Sequence, residues 1–297
     1  MYIGGVRQKR VAILLFLAPA VVALVLFYLL PIATSLVLSL LEYDPLRPVS
    51  DIKFVGLRNF IDYFKYQDMR DQYLHVLYYI GLYIPLVLAT SVLEAMLLNR
   101  TFKAKTLYKV LLYLPVISSW VAVALIWRWL LHGEYGIINI MLRTIGIQGP
   151  SWLHNKSWAM PGVVMAAVWK DTGYYALIVL AALKGIDRNY YEAARIDGAS
   201  AIKQFRFITL PLVSPTIFLL LVINIIAGFQ VFESIYVMTE GGPAGATRVP
   251  VEQVYRNVFT YYKMGYASAS AWVLGIVIII ATIIQFRYEK LWVSYES

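Results

Sequence analysis

Six apolar segments, each long enough to cross a lipid bilayer, are the feature that most restricts how this sequence can fold. A transmembrane helix needs about 20 predominantly apolar residues to cross a hydrocarbon core of about 30 Å. Hydrophobic residues make up 60% of the 297 positions and charged residues 14%, a ratio that one water-soluble core could not bury. We therefore predict an all-α membrane protein of a single domain with six transmembrane helices. The predicted spans are residues 11–41, 72–98, 107–131, 158–183, 212–239 and 266–286.

The basic start of the chain allows a second interpretation of the first apolar segment. Arg7, Lys9 and Arg10 precede it, as basic residues do in a secretory signal peptide. The apolar region of a signal peptide is only about 7–15 residues long, and residues 11–41 form a much longer run. We interpret this segment as a retained first span that kinks or leaves the membrane near Pro31.

Basic residues are unevenly divided between the two sets of segments that connect the spans. The set that contains both termini, residues 100–109 and residues 184–211 carries fourteen lysines and arginines, and the other set carries ten over longer loops. Because cytoplasmic loops are enriched in basic residues, we predict that both termini are cytoplasmic. The outer segment 42–71 mixes charged and aromatic residues, so we predict that it forms a short folded cap.

Composition and missing motifs exclude several classes of protein. The net charge of +9 is spread in short clusters beside apolar runs and does not form the basic face of a nucleic-acid-binding protein. The sequence has no cysteine and only three scattered histidines, which argues against a disulfide framework, thiol catalysis or a metal cluster. A phosphate-binding loop of the form G-x-x-x-x-G-K-[ST] does not occur, so we expect no ATP site in this chain.

The segment between the fourth and fifth predicted spans carries a spaced motif. Glutamate and two alanines are followed after three residues by glycine, and after nine more by isoleucine, any residue, leucine and proline. This pattern resembles the EAA motif of binding-protein-dependent ABC importer permeases. The surrounding residues and the Gly241-Gly242-Pro243 run are similar to the carbohydrate-uptake, maltose-type branch of that family. The positions concerned are Glu192, Ala193, Ala194, Asp197, Gly198, Ile208, Leu210 and Pro211.

Local physical chemistry predicts a helix, a turn and a second short helix in this loop. Residues 190–197 are mostly good helix formers, and Gly198 can adopt the positive φ that turns the chain. Pro211 stands in the first turn of the next span, where its missing N–H costs nothing. A basic amphipathic element lying on the lipid surface is the alternative interpretation of the same residues.

The resemblance implies a fold similar to type I ABC importers, with a cytoplasmic coupling helix in residues 184–211. In that family the EAA element docks in a groove of a separate ATPase, and the positions of Glu192 and Gly198 are the most sensitive. The resemblance also implies a multi-pass permease of a bacterial or archaeal cell membrane that imports a sugar or oligosaccharide. Its partners would be a second homologous permease, two ATPase subunits that bind ATP and Mg, and an extracytoplasmic solute-binding protein.

Polar residues inside the predicted fourth and fifth spans are candidates for the solute site. Polar and charged side chains are costly in a bilayer, so they indicate a cavity, a pair or a solute path. Lys170 and Asp171 are adjacent and therefore cannot face one another on a helix, whereas Tyr174 can share a patch with both. Bonds across helix interfaces are the competing explanation for each residue. The candidates are Lys170, Asp171, Tyr174, Asn224, Gly228, Gln230 and Glu233.

Two other functions remain open at this point. The Lys170 and Asp171 pair leaves room for a sugar phosphate or an acidic sugar as the solute. An ion-coupled secondary transporter is possible because buried charges can relay ions, although such carriers often contain repeats and none is evident here. A membrane enzyme is disfavoured, since neither H-E-x-x-H nor G-x-S-x-G occurs.

Overall fold

The computed structural model describes the backbone of residues 6–293 and the side chains of residues 13–293. Most of this part of the chain is helical. The side chains of Arg7, Lys9 and Arg10 lie outside the described part. The cytoplasmic placement of the termini stays a prediction. The helices are α1 (Val6–Leu24), α2 (Leu30–Ser39), α3 (Arg58–Lys65), α4 (Gln67–Asn99), α5 (Lys105–Ile117), α6 (Trp120–Leu130), α7 (Ile137–Thr144), α8 (Lys156–Gly185), α9 (Arg188–Ile196), α10 (Ala201–Gln204), α11 (Leu210–Phe229), α12 (Glu233–Met238), α13 (Pro250–Phe259) and α14 (Met264–Tyr288).

Within the described residues, five helices are long and apolar enough to cross a membrane. A bent pair supplies a sixth span when its two helices are counted together. The spans predicted from sequence therefore correspond to helices in the structure, with two corrections. The five continuous candidates are Ile13–Ser39, Gln67–Asn99, Lys156–Gly185, Ala201–Phe229 and Met264–Leu291.

The third predicted span, residues 107–131, is not one continuous helix. It consists of α5 and α6, which meet at an angle of 102°. Pro115 lies in the last turn of α5, and the amide of Ser118 donates to its carbonyl oxygen at 3.2 Å. Ser119 then caps α6 by accepting a bond from the amide of Ala122 at 3.3 Å. Two serines after a proline thus end one helix and begin the next, a signal that apolar periodicity does not register.

The fifth predicted span, residues 212–239, is misplaced along the chain. The continuous helical segment is Ala201–Phe229, so the predicted span begins too late and ends too late. The helix α11 ends at Phe229, and the chain passes through Gln230 into the separate short helix α12. The break lies where the amides of Gln230 and Val231 turn back to the carbonyls of Ala227 and Gly228. Gln230 and Glu233, which are predicted to lie inside this span, therefore lie at helix ends.

A π-helical turn precedes a proline in two spans. One covers Val25–Leu29, just before Pro31, and the other covers Phe205–Thr209, just before Pro211. Proline has no N–H to donate and its ring crowds the preceding turn, so a local change from i→i+4 to i→i+5 bonding is a common accommodation. The predicted irregularity near Pro31 is thus a widened turn within a continuing helix.

The chain divides into two compact units, and the first contains the residues up to Tyr66 together with Val254–Val273. The most apolar part of its first span has no buried side chain, as expected of a helix surrounded by lipid. Segment 42–71 begins with a two-stranded antiparallel sheet, Leu41–Glu42 with Lys53–Phe54. The helix α3 follows, and the Asn59 side chain donates to the carbonyls of Ser39 and Leu41.

The second unit contains Gln67–Gln253 and the residues from Leu274 onward. Its centre is α8, which packs along α4 and also contacts α5 and α11. The buried face of α8 is rich in small residues such as Ala166, Ala167 and Gly173, which allow neighbouring helix backbones to approach closely. Polar bonds add to this packing, because Ser91 and Thr90 on α4 both bond to Thr172 on α8.

Candidate coupling loop and solute cavity

The first helix of the EAA-like loop, α9, is defined by local bonds at both ends. Asp187 caps its start by accepting a bond from the amide of Asn189 at 3.0 Å. At its end the amide of Gly198 donates to Arg195 O at 3.0 Å, and the amide of Ala199 donates to Ala194 O at 2.8 Å. This pair of bonds is a Schellman motif, which stops a helix and reverses the chain.

Gly198 provides the conformation that the Schellman motif requires. Its φ is +73°, in the left-handed region that costs a residue with a Cβ about 1–2 kcal/mol. The prediction that Gly198 takes a positive φ is confirmed. An added Cβ would meet nothing within 4 Å, so the restriction at this position comes from the backbone and not from crowding.

The motif side chains face outward from the loop. Glu192, Ala193 and Gly198 are exposed, whereas Tyr191 is half-buried. The hydroxyl of Tyr191 bonds to the hydroxyl of Thr209 at 2.9 Å, which ties α9 to the π-helical turn of the fifth span. The remaining motif positions are also accessible: Asp197 and Leu210 are exposed, and Ala194, Ile208 and Pro211 are half-buried.

A cavity of about 530 Å³ lies in the second unit, beside the break between α11 and α12. This volume is within the range of about 300–1,000 Å³ that small-molecule sites occupy. Aromatic, polar and small apolar residues line it. The lining residues are Tyr79, Tyr83, Trp120, Asp171, Tyr175, Ala227, Gly228, Gln230, Val231, Phe232, Glu233, Ser234 and Val251.

Asp171 is a polar residue of the cavity wall that bonds to a side chain of another helix. One of its carboxylate oxygens, Oδ2, accepts a bond from the hydroxyl of Tyr83 at 2.7 Å. The Tyr83 ring stacks on Tyr79 one helical turn away, with ring centroids 5.3 Å apart. This bond orients the carboxyl group of Asp171 in the cavity wall.

The break in the fifth span brings three other predicted residues to the same cavity. Gly228 lets α11 approach α4, because a Cβ there would lie 2.6 Å from Ile80 Cγ1. Gln230 and Glu233 stand on either side of the break, both exposed. A carboxylate in the first turn of α12 is also favoured by the helix dipole.

Three predicted residues lie outside the cavity lining. Lys170 is 6% exposed, and its ammonium donates to the carbonyls of Pro115 and Val116. Tyr174 is 45% exposed on another face of α8. Asn224 is fully buried and its amide donates to Leu220 O at 2.7 Å, within its own helix. Lys170 and Asp171 therefore bind different partners.

Comparison with known proteins identifies the family. Residues 64–291 match the family described as binding-protein-dependent transport system inner membrane component. The chain belongs to this family. The permease is thus a multi-pass membrane component of a transport system, and the family predicted from residues 192–211 is confirmed.

Relatives of this permease match it over nearly its whole length. The probable ABC transporter permease protein YesP of Bacillus subtilis (strain 168) is 36% identical over 298 residues, which cover 99% of this chain and 95% of that protein. The sn-glycerol-3-phosphate transport system permease protein UgpA of Salmonella typhimurium (strain LT2) is 35% identical over 285 residues, 95% of each chain. These relatives confirm that the chain is an ABC transporter permease.

A solved structure confirms the fold. It is the crystal structure of a bacterial alginate ABC transporter in complex with an alginate pentasaccharide-bound periplasmic protein. One of its chains superposes on this permease with a TM-score of 0.83 at 23% identity, covering 95% of this chain and 94% of that one. At this identity the similarity concerns the fold alone, which is that of an ABC importer permease.

Sequence reasoning about the permease missed the aromatic part of the cavity. Tyr79 and Tyr83 lie one turn apart on α4, and Trp120 follows the break in the third span. Tyr174 is the candidate predicted from sequence, whereas its neighbour Tyr175 lines the cavity. Tyrosine and tryptophan in spans occur equally in packing and at membrane interfaces. The i,i+4 pair of tyrosines in the middle of an apolar helix was the one available signal.

Proposed function

We propose that this permease moves an uncharged carbohydrate across the membrane as one subunit of an ATP-driven importer. The observation that carries the proposal is the composition of the cavity, in which four aromatic side chains of α4, α6 and α8 surround the fixed carboxylate of Asp171. Sugars present hydroxyl donors at their edges and apolar C–H groups on their faces. Carboxylate and amide acceptors beside flat aromatic rings complement both.

The charge of the cavity wall argues for an uncharged solute. The lining contributes the carboxyl groups of Asp171 and Glu233, and among its described residues there is no lysine, arginine or histidine. Proteins usually bind phosphates and carboxylates with arginine or lysine. Lys170 would be the natural cation, but its ammonium is directed at the carbonyls of Pro115 and Val116. A sugar phosphate or an acidic sugar is therefore the less favoured solute, although relatives are named for sn-glycerol-3-phosphate and alginate.

The energy for transport would come from other subunits that dock on residues 192–211. The exposed α9 and the sharp turn at Gly198 form a short protrusion, with a glutamate and two small alanines on its accessible surface. Small side chains permit close approach of another protein, and the glutamate offers a strong acceptor. In this proposal two ATPase subunits bind ATP and Mg and move the loop, so this chain itself does no enzymatic chemistry.

The complete assembly would contain a second homologous permease and an extracytoplasmic solute-binding protein. The binding protein would meet the outer segments, residues 42–71 and 240–263, and both termini would lie in the cytoplasm. The family description, which names a binding-protein-dependent system, supports the binding protein. The distribution of basic residues supports the orientation.

Purification from native membranes in mild detergent tests the assembly. We expect a tagged permease to bring down a second permease and an ATPase, identified by mass spectrometry, together with any retained solute. Recovery of the chain alone, with solute uptake driven by an ion gradient and no ATPase, would instead indicate a secondary transporter.

Charge reversal tests the coupling loop. We expect Glu192→Lys to abolish ATP-driven uptake by the assembled importer because it removes the exposed acceptor. Glu134→Lys makes the same change at an exposed position of the predicted outer side and should retain uptake. Full uptake and full substrate-stimulated ATP hydrolysis by the Glu192 variant would contradict the docking proposal.

A panel of solutes tests the charge of the substrate. ATP hydrolysis by the reconstituted importer should rise with a binding protein loaded with a neutral oligosaccharide. If only a uronate oligosaccharide or a phosphorylated sugar stimulates ATP hydrolysis, the proposal of an uncharged substrate is wrong. The assignment as an importer is unaffected by that result.

A further inference from the structure

We propose that Lys170 is a positioning residue that fastens the break in the third span to α8 and so fixes Trp120 in the wall of the cavity. The transport role of this contact rests on the proposed function, whereas the contact itself rests on geometry alone. Lys170 does not line the cavity, and its burial in an apolar helix requires another explanation.

The break between α5 and α6 exposes carbonyl groups that need partners. The last four carbonyls of any helix lack partners within the helix, and unsatisfied carbonyls are costly where water is excluded. The ammonium of Lys170 donates to Val116 O at 3.0 Å and, beside the amide of Ser118, to Pro115 O at 3.2 Å. A cation at a helix C-terminus is also favoured by the helix dipole. One lysine thus caps the end of α5 from a different helix.

The same ammonium contacts the first residue after the break. It lies 5.3 Å from the centre of the Trp120 ring, within the range of a cation–π interaction. Trp120 begins α6 and lines the cavity. Lys170 therefore holds the last turn of α5 and the first residue of α6 at once, which fixes the position of the indole.

Gly173 brings α8 close enough for this contact. A Cβ at this position would lie 2.1 Å from Leu112 O, so only glycine permits the observed approach of α8 to α5. Gly173 is three residues from Lys170 and lies on the same helix face. The small residue and the lysine form one attachment between α8 and the broken span.

The attachment has a direct connection to the coupling loop. Only Ile186 and Asp187 separate the end of α8 from the start of α9. A displacement of α9 by a docked ATPase would be passed to α8. Because Lys170 and Gly173 join α8 to the break, Trp120 would move together with α8 and with Asp171, the residue that follows Lys170. Lys170 thereby contributes to transport through Trp120 and not by touching the solute.

A pair of spin labels can test the attachment without knowledge of the solute. The chain contains no cysteine, so cysteines introduced at Leu111 on α5 and Leu125 on α6, both exposed, report the distance across the break. We expect one narrow distance distribution for the otherwise native permease in nanodiscs. Lys170→Met should broaden or shift it, and Lys170→Arg should restore it because arginine also donates to carbonyls.

Three further variants separate the parts of the attachment. Gly173→Ala should broaden the distribution although Lys170 is present, because the added methyl group separates α8 from α5. Trp120→Leu should broaden it less than Lys170→Met does, since the contact with the ring is lost while the carbonyl bonds remain. Lys184→Met removes an exposed lysine from the end of α8 and should have no effect. A native, narrow distribution for folded Lys170→Met would overturn the proposal.

Transport provides a readout that a purely structural role would not produce. In the assembled importer, Lys170→Met should reduce uptake about tenfold or more, as expected for loss of charge-assisted bonds, while ATP hydrolysis continues. A parallel loss of uptake and hydrolysis would contradict the positioning role. If the native assembly shows no ATP-driven uptake, the proposed function fails, and the spin-label result still decides whether Lys170 fastens the break.

Discussion

The coupling loop and the solute cavity are built in opposite ways. The loop forms from about twenty consecutive residues, and its defining bonds join residues three to five positions apart, such as Gly198 to Arg195 and Ala199 to Ala194. The cavity draws on α4, α6, α8 and the α11–α12 break, and its central bond joins Tyr83 and Asp171, which are 88 positions apart. A local motif can be read from sequence directly, whereas a cavity depends on how distant helices pack.

The largest effect is expected where the loop depends on one backbone conformation. Gly198→Val places a β-branched residue at a φ of +73°, which costs about 1–2 kcal/mol or more and removes the Schellman turn. We expect ATP-driven uptake by the reconstituted importer to be lost while the protein still accumulates in the membrane.

Gly146→Val is a matched control for that substitution. Gly146 also has a positive φ, +79°, and open space around it, but it lies in a different loop. Uptake should stay near the native level. Equal losses for Gly146→Val and Gly198→Val would show that backbone strain, and not the coupling loop, accounts for the effect.

In the cavity, Asp171→Ala should have the next largest effect. It removes the acceptor of the Tyr83 hydroxyl and the carboxylate offered to the solute. A hydrogen bond to a charged group contributes about 1.5–3 kcal/mol, so the KM for uptake should rise about 10-fold to 100-fold. Asp68→Ala removes a carboxylate from a half-exposed ion pair with Arg248 and should change KM little.

Substitutions at two adjacent tyrosines should have smaller effects on KM, and they test which face of α8 lines the cavity. Tyr175 is 6% exposed and lines the cavity, whereas Tyr174 is 45% exposed and does not. Loss of one aromatic contact, about 0.5–1.5 kcal/mol, should raise the KM of Tyr175→Ala about 3-fold to 10-fold. Tyr174→Ala should leave KM nearly unchanged. A larger rise in KM for Tyr174→Ala than for Tyr175→Ala would indicate that the solute contacts the other face of α8.

The smallest effect is expected from the bond that anchors the loop. Tyr191→Phe removes the 2.9 Å bond to Thr209, a contribution of about 0.5–1.5 kcal/mol. We expect the ratio of solute imported to ATP hydrolysed to fall slightly, with the cavity unaffected and KM unchanged. Tyr190→Phe, at the exposed neighbouring position, should match the native ratio. An equal decrease of the ratio in both variants would show that the bond to Thr209 is not its cause.

The parts of the permease that sequence predicted well are those that short-range rules control. The length of the apolar runs predicted the helices α4, α8 and α14. The helix formers before Gly198 predicted α9, and Gly198 predicted where it ends. The sequence predicts a continuous third span because Ser118 and Ser119 scarcely lower the mean hydropathy of residues 107–131. Helix breaks depend on capping bonds, which periodicity does not measure.

Apart from Gly228, the cavity residues predicted from sequence are those whose polarity is conspicuous in an apolar segment. Asp171, Gln230 and Glu233 stand out in apolar segments, and the structure places all three around the cavity. Lys170 stands out equally, but the carbonyls that accept its bonds belong to Pro115 and Val116, more than fifty positions away. Its orientation depended on a helix break that the sequence pattern did not reveal. A charge in a span therefore indicates a polar partner, which can be backbone as well as solute.

The π-helical turn at Phe205–Thr209 changes how the fifth span must be drawn as a helical wheel. A turn closed by i→i+5 bonds takes up one more residue than an α-helical turn, and each residue of an α-helix advances by about 100° around the axis. A wheel continued without interruption from α10 would rotate every later residue by about that angle and assign α11 to the wrong faces. Mutational scans of this span should therefore take their phase from Leu210 onward, and the same caution applies to the first span beyond Leu29.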